Sequence, residues 1–213
     1  MKISVIIPTY NQAQNIHIGL DSVPRHSLIE TIVVNDGSTD NTQQVVEDYI
    51  KAHPEKKIRL YSWKKNKGVS YAVNKGLDEA KGDYVVLLGS DGDYFIKGFL
   101  ENVLTNYLHK NYDLIFFDVI DKRKHIRRLN PQTITKYVGS VKLMRRGFIG
   151  DTRCPITKRR AEDVDFTVSL LMKKPKCFYT HQIGKFYNYP RENSLTWNAR
   201  HGITNQYGFK KGE

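Results

Sequence analysis

Three clusters of acids and glycines carry the chemistry of this 213-residue sequence. The run Gly89-Ser90-Asp91-Gly92-Asp93 holds carboxylates at alternate positions in a turn whose glycines let backbone approach a ligand closely. Hard divalent cations prefer such oxygens and share them with substrate phosphates. A plain Asp-Gly turn has the same composition. Asp36 opens the turn DGSTDNT (36–42). It either shapes that turn or, from a strand end, accepts hydrogen bonds from a base or ribose. In the run AEDVDF (161–166), Glu162, Asp163 and Asp165 open a helical pattern inside the most basic stretch. They either complement the helix N-terminus or present a general base to a cleft.

The elements that must position these clusters alternate. Ile3–Pro8, Glu30–Asn35, Ile58–Ser62, Tyr84–Leu88 and Asp113–Ile120 are short apolar runs, several rich in β-branched residues, and read as buried parallel strands. Between them, Asn11–Asp21, Asn41–His53 (with Asp40 as cap), Val69–Ala80 and Ile96–Leu108 read as helices. Alternation of this kind predicts an α/β sandwich with a mostly parallel central sheet and helices on both faces. Ligands bind such sheets at the carboxyl ends of the strands. Thr9 and Asn11 follow the first strand, Asp36 the second and Asp91 the fourth. After Asp121 the pattern is less regular: a strand over Val138–Met144, a helix over Glu162–Met172, and short strands over Cys177–His181 and Lys185–Tyr189. With no repeat or long linker, the expectation is one domain over 1–213. Residues 1–121 form its regular half, 122–197 a smaller, less regular subregion and 198–213 a polar tail.

The formal net charge is +12, and the excess crowds the second half: KRKHIRR (122–128), RR (145–146), KRR (158–160), KK (173–174) and KK (210–211). A basic half beside a balanced one points to an anionic partner on one side, or to a solvated basic surface. The two cysteines, Cys154 and Cys177, form neither a zinc pattern nor a disulfide framework. The opening MKISVIIPTY has too short an apolar run for a signal peptide, and no window approaches a membrane span. The expectation is a cytoplasmic protein, with peripheral association at the inner membrane surface as the variant.

Taken together the motifs resemble glycosyltransferase family 2, inverting nucleotide-sugar enzymes with the GT-A (Rossmann-like) fold. The resemblance covers about residues 1 to 195. It rests on SVIIPTYN (4–11), IVVNDGSTDNT (32–42), NKGVSYAVNKGLDEAKGDYVVLL (66–88), VKLMRRGFIGDTRCP (141–155) followed by AEDVDF, and YNYPRENSLT (187–196). It implies roles residue by residue. Thr9 and Asp36 contact nucleobase and ribose, Ser90 lies near the ribose, and Asn11 and Gly68 belong to the same donor-binding set. Asp91, with Asp93 beside it, binds the Mn²⁺ or Mg²⁺ that bridges the diphosphate. Asp163 is the catalytic base, with Glu162 and Arg191 on the acceptor side.

Two positions depart from the pattern. The metal motif Asp-Ser-Asp-Asp is here Gly89-Ser90-Asp91-Gly92, with Asp93 next. Val73 stands where relatives often carry an arginine that helps hold the nucleotide; either the nucleotide or its pose is unusual, or Lys67 or Lys75 substitutes. The implied activity is transfer from a nucleotide-sugar, first a UDP-sugar, to an anionic acceptor. An envelope glycan is the first expectation and hydroxymethylated DNA bases the second. An inactive GT-A fold kept as a nucleic-acid-binding or scaffold module is the reading from a different class.

Overall fold

A computed structural model describes residues 1–129, 141–156 and 162–189. The first half alternates as expected: β1 (Ile3–Thr9), α1 (Ile16–Ser22), β2 (Ile29–Asn35), α2 (Thr42–Ala52), β3 (Ile58–Ser62), α3 (Val69–Glu79) and β4 (Tyr84–Leu87). There follow β5 (Tyr94–Phe95), α4 (Phe99–Asn106), β6 (Leu114–Asp121), β7 (Ile126–Arg127), β8 (Lys142–Arg145), α5 (Arg146–Ile149), α6 (Glu162–Met172) and β9 (Cys177–Tyr187).

The strands form one sheet in the order β3-β2-β1-β4-β8-β6-β9-β5, with β7 paired to β6. β1 runs parallel to β2 and β4, β2 to β3, and β6 to β9. β8 is antiparallel to both neighbours, β4 and β6. That double reversal makes β6 and β9 point the same way as β4. The carboxyl ends of β1, β2, β4, β6 and β9 therefore share one edge. Chain order also reverses between β1 and β4: successive strands first step outward to β2 and β3, then return to β4. Such a switch point opens a crevice at the carboxyl edge.

Ile3, Val5, Ile6, Ile7, Ile32, Val33, Val34, Val85 and Val86 have no exposed surface, as strands covered on both sides require. Gly76 lets α3 close on β1, since a Cβ there would stand 2.3 Å from Ile6 Cγ2.

Three expectations change. α1 starts at Ile16 rather than Asn11, because Asn11 adopts φ 52° and spends its side chain on a neighbouring turn. The two short strands after Cys177 are one strand, with register irregularities opposite Phe116–Val119 and His181 at φ 53°. The strand expected over Val138–Met144 reaches Arg145, and its first residues, 138–140, lie outside the described residues. Among the described residues no helix is long and apolar enough to cross a membrane.

Candidate active site

At the β1–β2 end, Asp36 N–H donates to Thr9 O at 2.8 Å and extends the ladder. The Asp36 carboxylate is buried. Its Oδ1 accepts from Trp63 Nε1 at 2.7 Å and from Lys67 N–H at 2.8 Å; its Oδ2 accepts from Gly68 N–H at 2.8 Å. Those three donors tie the 63–68 loop to the tip of β2. Most of the carboxylate's acceptor capacity goes to holding that loop. Asn11 joins the first two loops: its backbone N–H donates to Ser38 Oγ at 2.9 Å, and its Oδ1 accepts from Thr39 N–H at 2.8 Å. Thr9 Oγ1 is buried with no hydrogen-bond partner among the described residues. A buried hydroxyl left unpaired costs about 1–3 kcal/mol, so this atom is a ready contact for a polar ligand at the strand end.

At the β4 end, Ser90 is buried beneath the turn. A Cβ on Gly89 would stand 2.8 Å from Asp91 Oδ1 and 2.9 Å from Asp93 Oδ2, so both carboxylates converge on the same side of the turn. Their environments differ. Asp93 is buried, its Oδ2 lies 3.2 Å from buried Lys185 Nζ, and its Oδ1 accepts from Asn188 N–H at 2.9 Å. Asn188 Nδ2 donates to Asp91 O at 2.6 Å, and Gly92, at φ 93°, leaves room for that amide. The end of β9 thus latches the acidic turn. No group of three or more His, Cys, Asp or Glu suited to holding a metal occurs among the described residues. Asp91 is the carboxylate on this turn that would hold a divalent cation, a hard ion that prefers oxygen ligands. Asp93, expected as a second metal ligand, has the Lys185 ammonium beside its Oδ2.

At the third corner, α3 holds the segment that leads to α6. Asn74 Nδ2 donates to Cys154 O at 2.8 Å, Asn74 Oδ1 accepts from Cys154 N–H at 2.7 Å, and Ser70 Oγ donates to Pro155 O at 2.9 Å. Asp163 is exposed on the first turn of α6, its Oδ1 accepting from Val164 N–H at 2.9 Å. Glu162 is half-buried; desolvation, with Asp163 and Asp165 nearby, pushes its carboxyl above the usual range. Thr167 Oγ1 donates to Asp163 O and receives Lys142 Nζ, each at 2.7 Å. Burial pushes the Lys142 ammonium down to about 8, with Asp163 opposing and Lys185 reinforcing that shift. Burial likewise raises the Cys154 thiol to about 11, leaving a structural cysteine.

Asp163 O, Thr167 Oγ1 and Lys142 Nζ thus form one hydrogen-bonded run from α6 into β8, and Lys185 Nζ separately holds Asp93 beside Asp91. Sequence reading missed Lys142, Lys185, Asn188, Asn74 and Trp63. The available signal was a lysine inside each of two strand-like runs, VKLM and GKFY. Of the two expected substitutes for arginine at buried Val73, Lys67 lies over the Trp63 ring at 5.2 Å, next to Asp36. Lys75 is committed elsewhere, to Glu79 at 2.6 Å and the Tyr61 ring at 4.8 Å. Arg191 lies outside the described residues.

Residues 4–169 match the model of the family described as Glycosyl transferase family 2. An uncharacterized glycosyltransferase of Haemophilus influenzae is 30% identical over 199 residues, which is 86% of this chain and 78% of that protein. A dolichyl-phosphate beta-glucosyltransferase of Dictyostelium discoideum is 28% identical over 60% of this chain, and the match spans 45% of that protein's length. Among solved structures, Staphylococcus aureus TarS 1-349 in complex with UDP-GlcNAc superposes with a TM-score of 0.79 at 24% identity, over 91% of this chain and 60% of that one. The Pyrobaculum calidifontis mannosyltransferase in complex with GDP-Man and Mn²⁺ gives 0.74 at 19% identity, over 94% and 61%. These two show the same GT-A fold.

Proposed function

The chain belongs to glycosyl transferase family 2, and from that premise we propose that it moves a sugar from a nucleoside-diphosphate donor to an acceptor hydroxyl with inversion at the anomeric carbon. The carrying observation is that the first turn of α6, with exposed Asp163, is tied through Thr167 to Lys142 of β8, the strand paired to β4, whose end carries the acidic turn. In this reading Asp163 removes the proton from the acceptor oxygen as that oxygen attacks. A base so placed contributes about 10²–10⁴-fold. The bond from the anomeric carbon to the diphosphate breaks as the new C–O bond forms, and the nucleoside diphosphate leaves with the electron pair. Asp91 is the residue that would hold a divalent cation, which when bound supplies Lewis-acid stabilisation of the leaving diphosphate. Thr9, Asn11, Asp36, Gly68 and Ser90 form the donor pocket, with Lys67 available to the nucleotide. The UDP-GlcNAc and GDP-Man in the two similar structures make UDP- and GDP-sugars the first donors to try.

For the acceptor we propose an anionic glycan, met at the cytoplasmic face of a membrane. Lys122, Arg123, Lys124, His125 and Arg128 are exposed on the hairpin that follows β6, at the same carboxyl edge as Asp91. Phosphate-rich acceptors bound there would dissociate steeply with added salt, as nucleic acids do.

A thermal-shift screen of UDP- and GDP-sugars, each with and without Mn²⁺, tests the donor half of the proposal, because a ligand stabilises by mass action. Transfer assays with wild type and Asp163→Asn, against teichoic-type glycans and duplex DNA, test the rest. A chain that binds no nucleotide and transfers no sugar would be a binding module on the same fold. Transfer by Asp163→Asn at the wild-type rate would remove the base assignment.

A further inference from the structure

The donors that reach Asp36 among the described residues leave its carboxylate one acceptor position. An ionised carboxylate has about four, shared between its two oxygens. Oδ1 is filled by Trp63 Nε1 at 2.7 Å and Lys67 N–H at 2.8 Å. Oδ2 takes Gly68 N–H at 2.8 Å and keeps one position open. Two of these donors are backbone groups of one loop. Trp63 alone acts through its side chain, so a substitution there changes the count without remaking the loop. On the adjoining strand end Thr9, whose carbonyl receives Asp36 N–H at 2.8 Å, keeps a buried hydroxyl with no partner among the described residues. The two strand ends thus offer a ligand one carboxylate acceptor and one hydroxyl.

We infer that Trp63 is a specificity-determining residue for the nucleobase: its indole N–H fills Asp36 Oδ1, leaving an acid that receives a single base N–H, which suits uracil and rejects guanine. The inference rests on the reading of this strand end as the nucleotide site. Uracil presents one N3–H flanked by two carbonyl oxygens. Asp36 Oδ2 can accept that N–H while the Thr9 hydroxyl donates to a carbonyl. Guanine presents N1–H and its N2 amino group side by side, and two parallel donors need an open position on each carboxylate oxygen. With Oδ1 full, one guanine donor is left unpaired in a buried site, and a polar group so stranded is what rejects a wrong ligand. The Lys67 ammonium lies 5.2 Å from the centre of the Trp63 ring, so phenylalanine at 63 keeps a ring for that contact and removes the N–H.

The experiment is titration calorimetry of UDP and GDP, each with Mn²⁺, on the full chain and on Trp63→Phe. The two ligands share ribose and diphosphate, so the ratio of their affinities isolates the base. Wild type should bind UDP at least about tenfold more tightly than GDP, and in Trp63→Phe the gap should close to about threefold or less. A purely structural role for Trp63 would weaken both nucleotides alike, so an unmoved ratio in folded Trp63→Phe overturns the inference. Wild type binding GDP as tightly as UDP overturns it as well. A second measurement stands even where Trp63→Phe folds poorly. The sequence has two tryptophans, so Trp197→Phe leaves the Trp63 indole as the one indole N–H signal in proton NMR. That proton should stay protected from exchange with water when UDP is bound, and rapid exchange in the complex would mean that Oδ1 has let the indole go, which also overturns the inference. Failure of the nucleotide-site reading looks different: neither UDP nor GDP would bind, while the indole proton of the free chain would still be protected.

Discussion

Lys185 Nζ stands 3.2 Å from Asp93 Oδ2 with both side chains buried, joining the last strand of the sheet to the acidic turn that follows β4. The ammonium does at Asp93 what a bound cation does elsewhere: it makes a buried carboxylate tolerable. Asn188, three residues on, completes the contact by donating to the other Asp93 oxygen and to Asp91 O. The shape of the turn thus depends on residues some ninety positions later in the chain.

Lys185→Met should cost about 3–5 kcal/mol in a urea unfolding series, because it leaves Asp93 charged and buried without its partner. The double variant Lys185→Met/Asp93→Leu should regain most of that loss. A single variant within about 1 kcal/mol of wild type would mean that the pair contributes little to the fold.

Asp91→Asn should abolish the extra thermal stabilisation that Mn²⁺ gives to a bound UDP-sugar, while stability without ligand changes by less than about 0.5 kcal/mol, since Asp91 is not in the packed core. Asp93→Asn should do the reverse and damage stability first. Equal loss of the Mn²⁺ effect in a folded Asp93→Asn would make both acids ligands.

Much of this was legible in the sequence because it is local. ISVIIPT, IETIVVN and LIFFDVID are apolar runs that are strands wherever a sheet can cover both faces, and the VSYAVNKGLDE spacing is helical in isolation. The Asp91 turn and the acids of α6 were legible for the same reason. What was not legible depends on pairing. Nothing in VKLM says that β8 runs antiparallel between β4 and β6, yet that reversal buries Lys142 in the sheet. The pairing of Asp93 with Lys185 was hidden because the partner lies far along the chain. Asn11 read as a helix start because its spacing hides a positive φ that only the turn at 38–39 explains. The three donors on Asp36 were hidden because Trp63, Lys67 and Gly68 arrive from beyond α2 and β3.

Glu162 sets a pH dependence. Its carboxyl is raised by burial and by the neighbouring acids Asp163 and Asp165, so the folded chain holds this proton more tightly than the unfolded chain does. Stability then falls as pH rises from the ordinary glutamate range through the raised value, where ionisation is forced on a half-buried site. Glu162→Gln should therefore melt close to wild type at pH 4 and above it at pH 8. Calorimetry at the two pH values checks this, and a variant less stable than wild type at pH 8 would mean that the charge is favourably placed.

Gly37 and Gly98 separate backbone strain from collision. Both have positive φ, 69° and 81°, so alanine at either pays about 1–2 kcal/mol for the left-handed conformation. At Gly98 a Cβ meets nothing within 4 Å. At Gly37 it would lie 2.6 Å from Asn66 N and 2.6 Å from Lys65 C, both backbone atoms that cannot rotate away. Those atoms belong to the loop that Asp36 holds through Lys67 and Gly68. Gly98→Ala should therefore lower the melting temperature modestly and leave UDP affinity within about twofold, because strain alone does not move the donor pocket. Gly37→Ala should melt lower still and bind UDP at least about tenfold more weakly, a loss of about 1.4 kcal/mol. Titration calorimetry with UDP on both variants decides the matter. Equal affinities would mean that the loop shifts without consequence, and that Asp36 supports the fold alone rather than the place where the nucleotide sits.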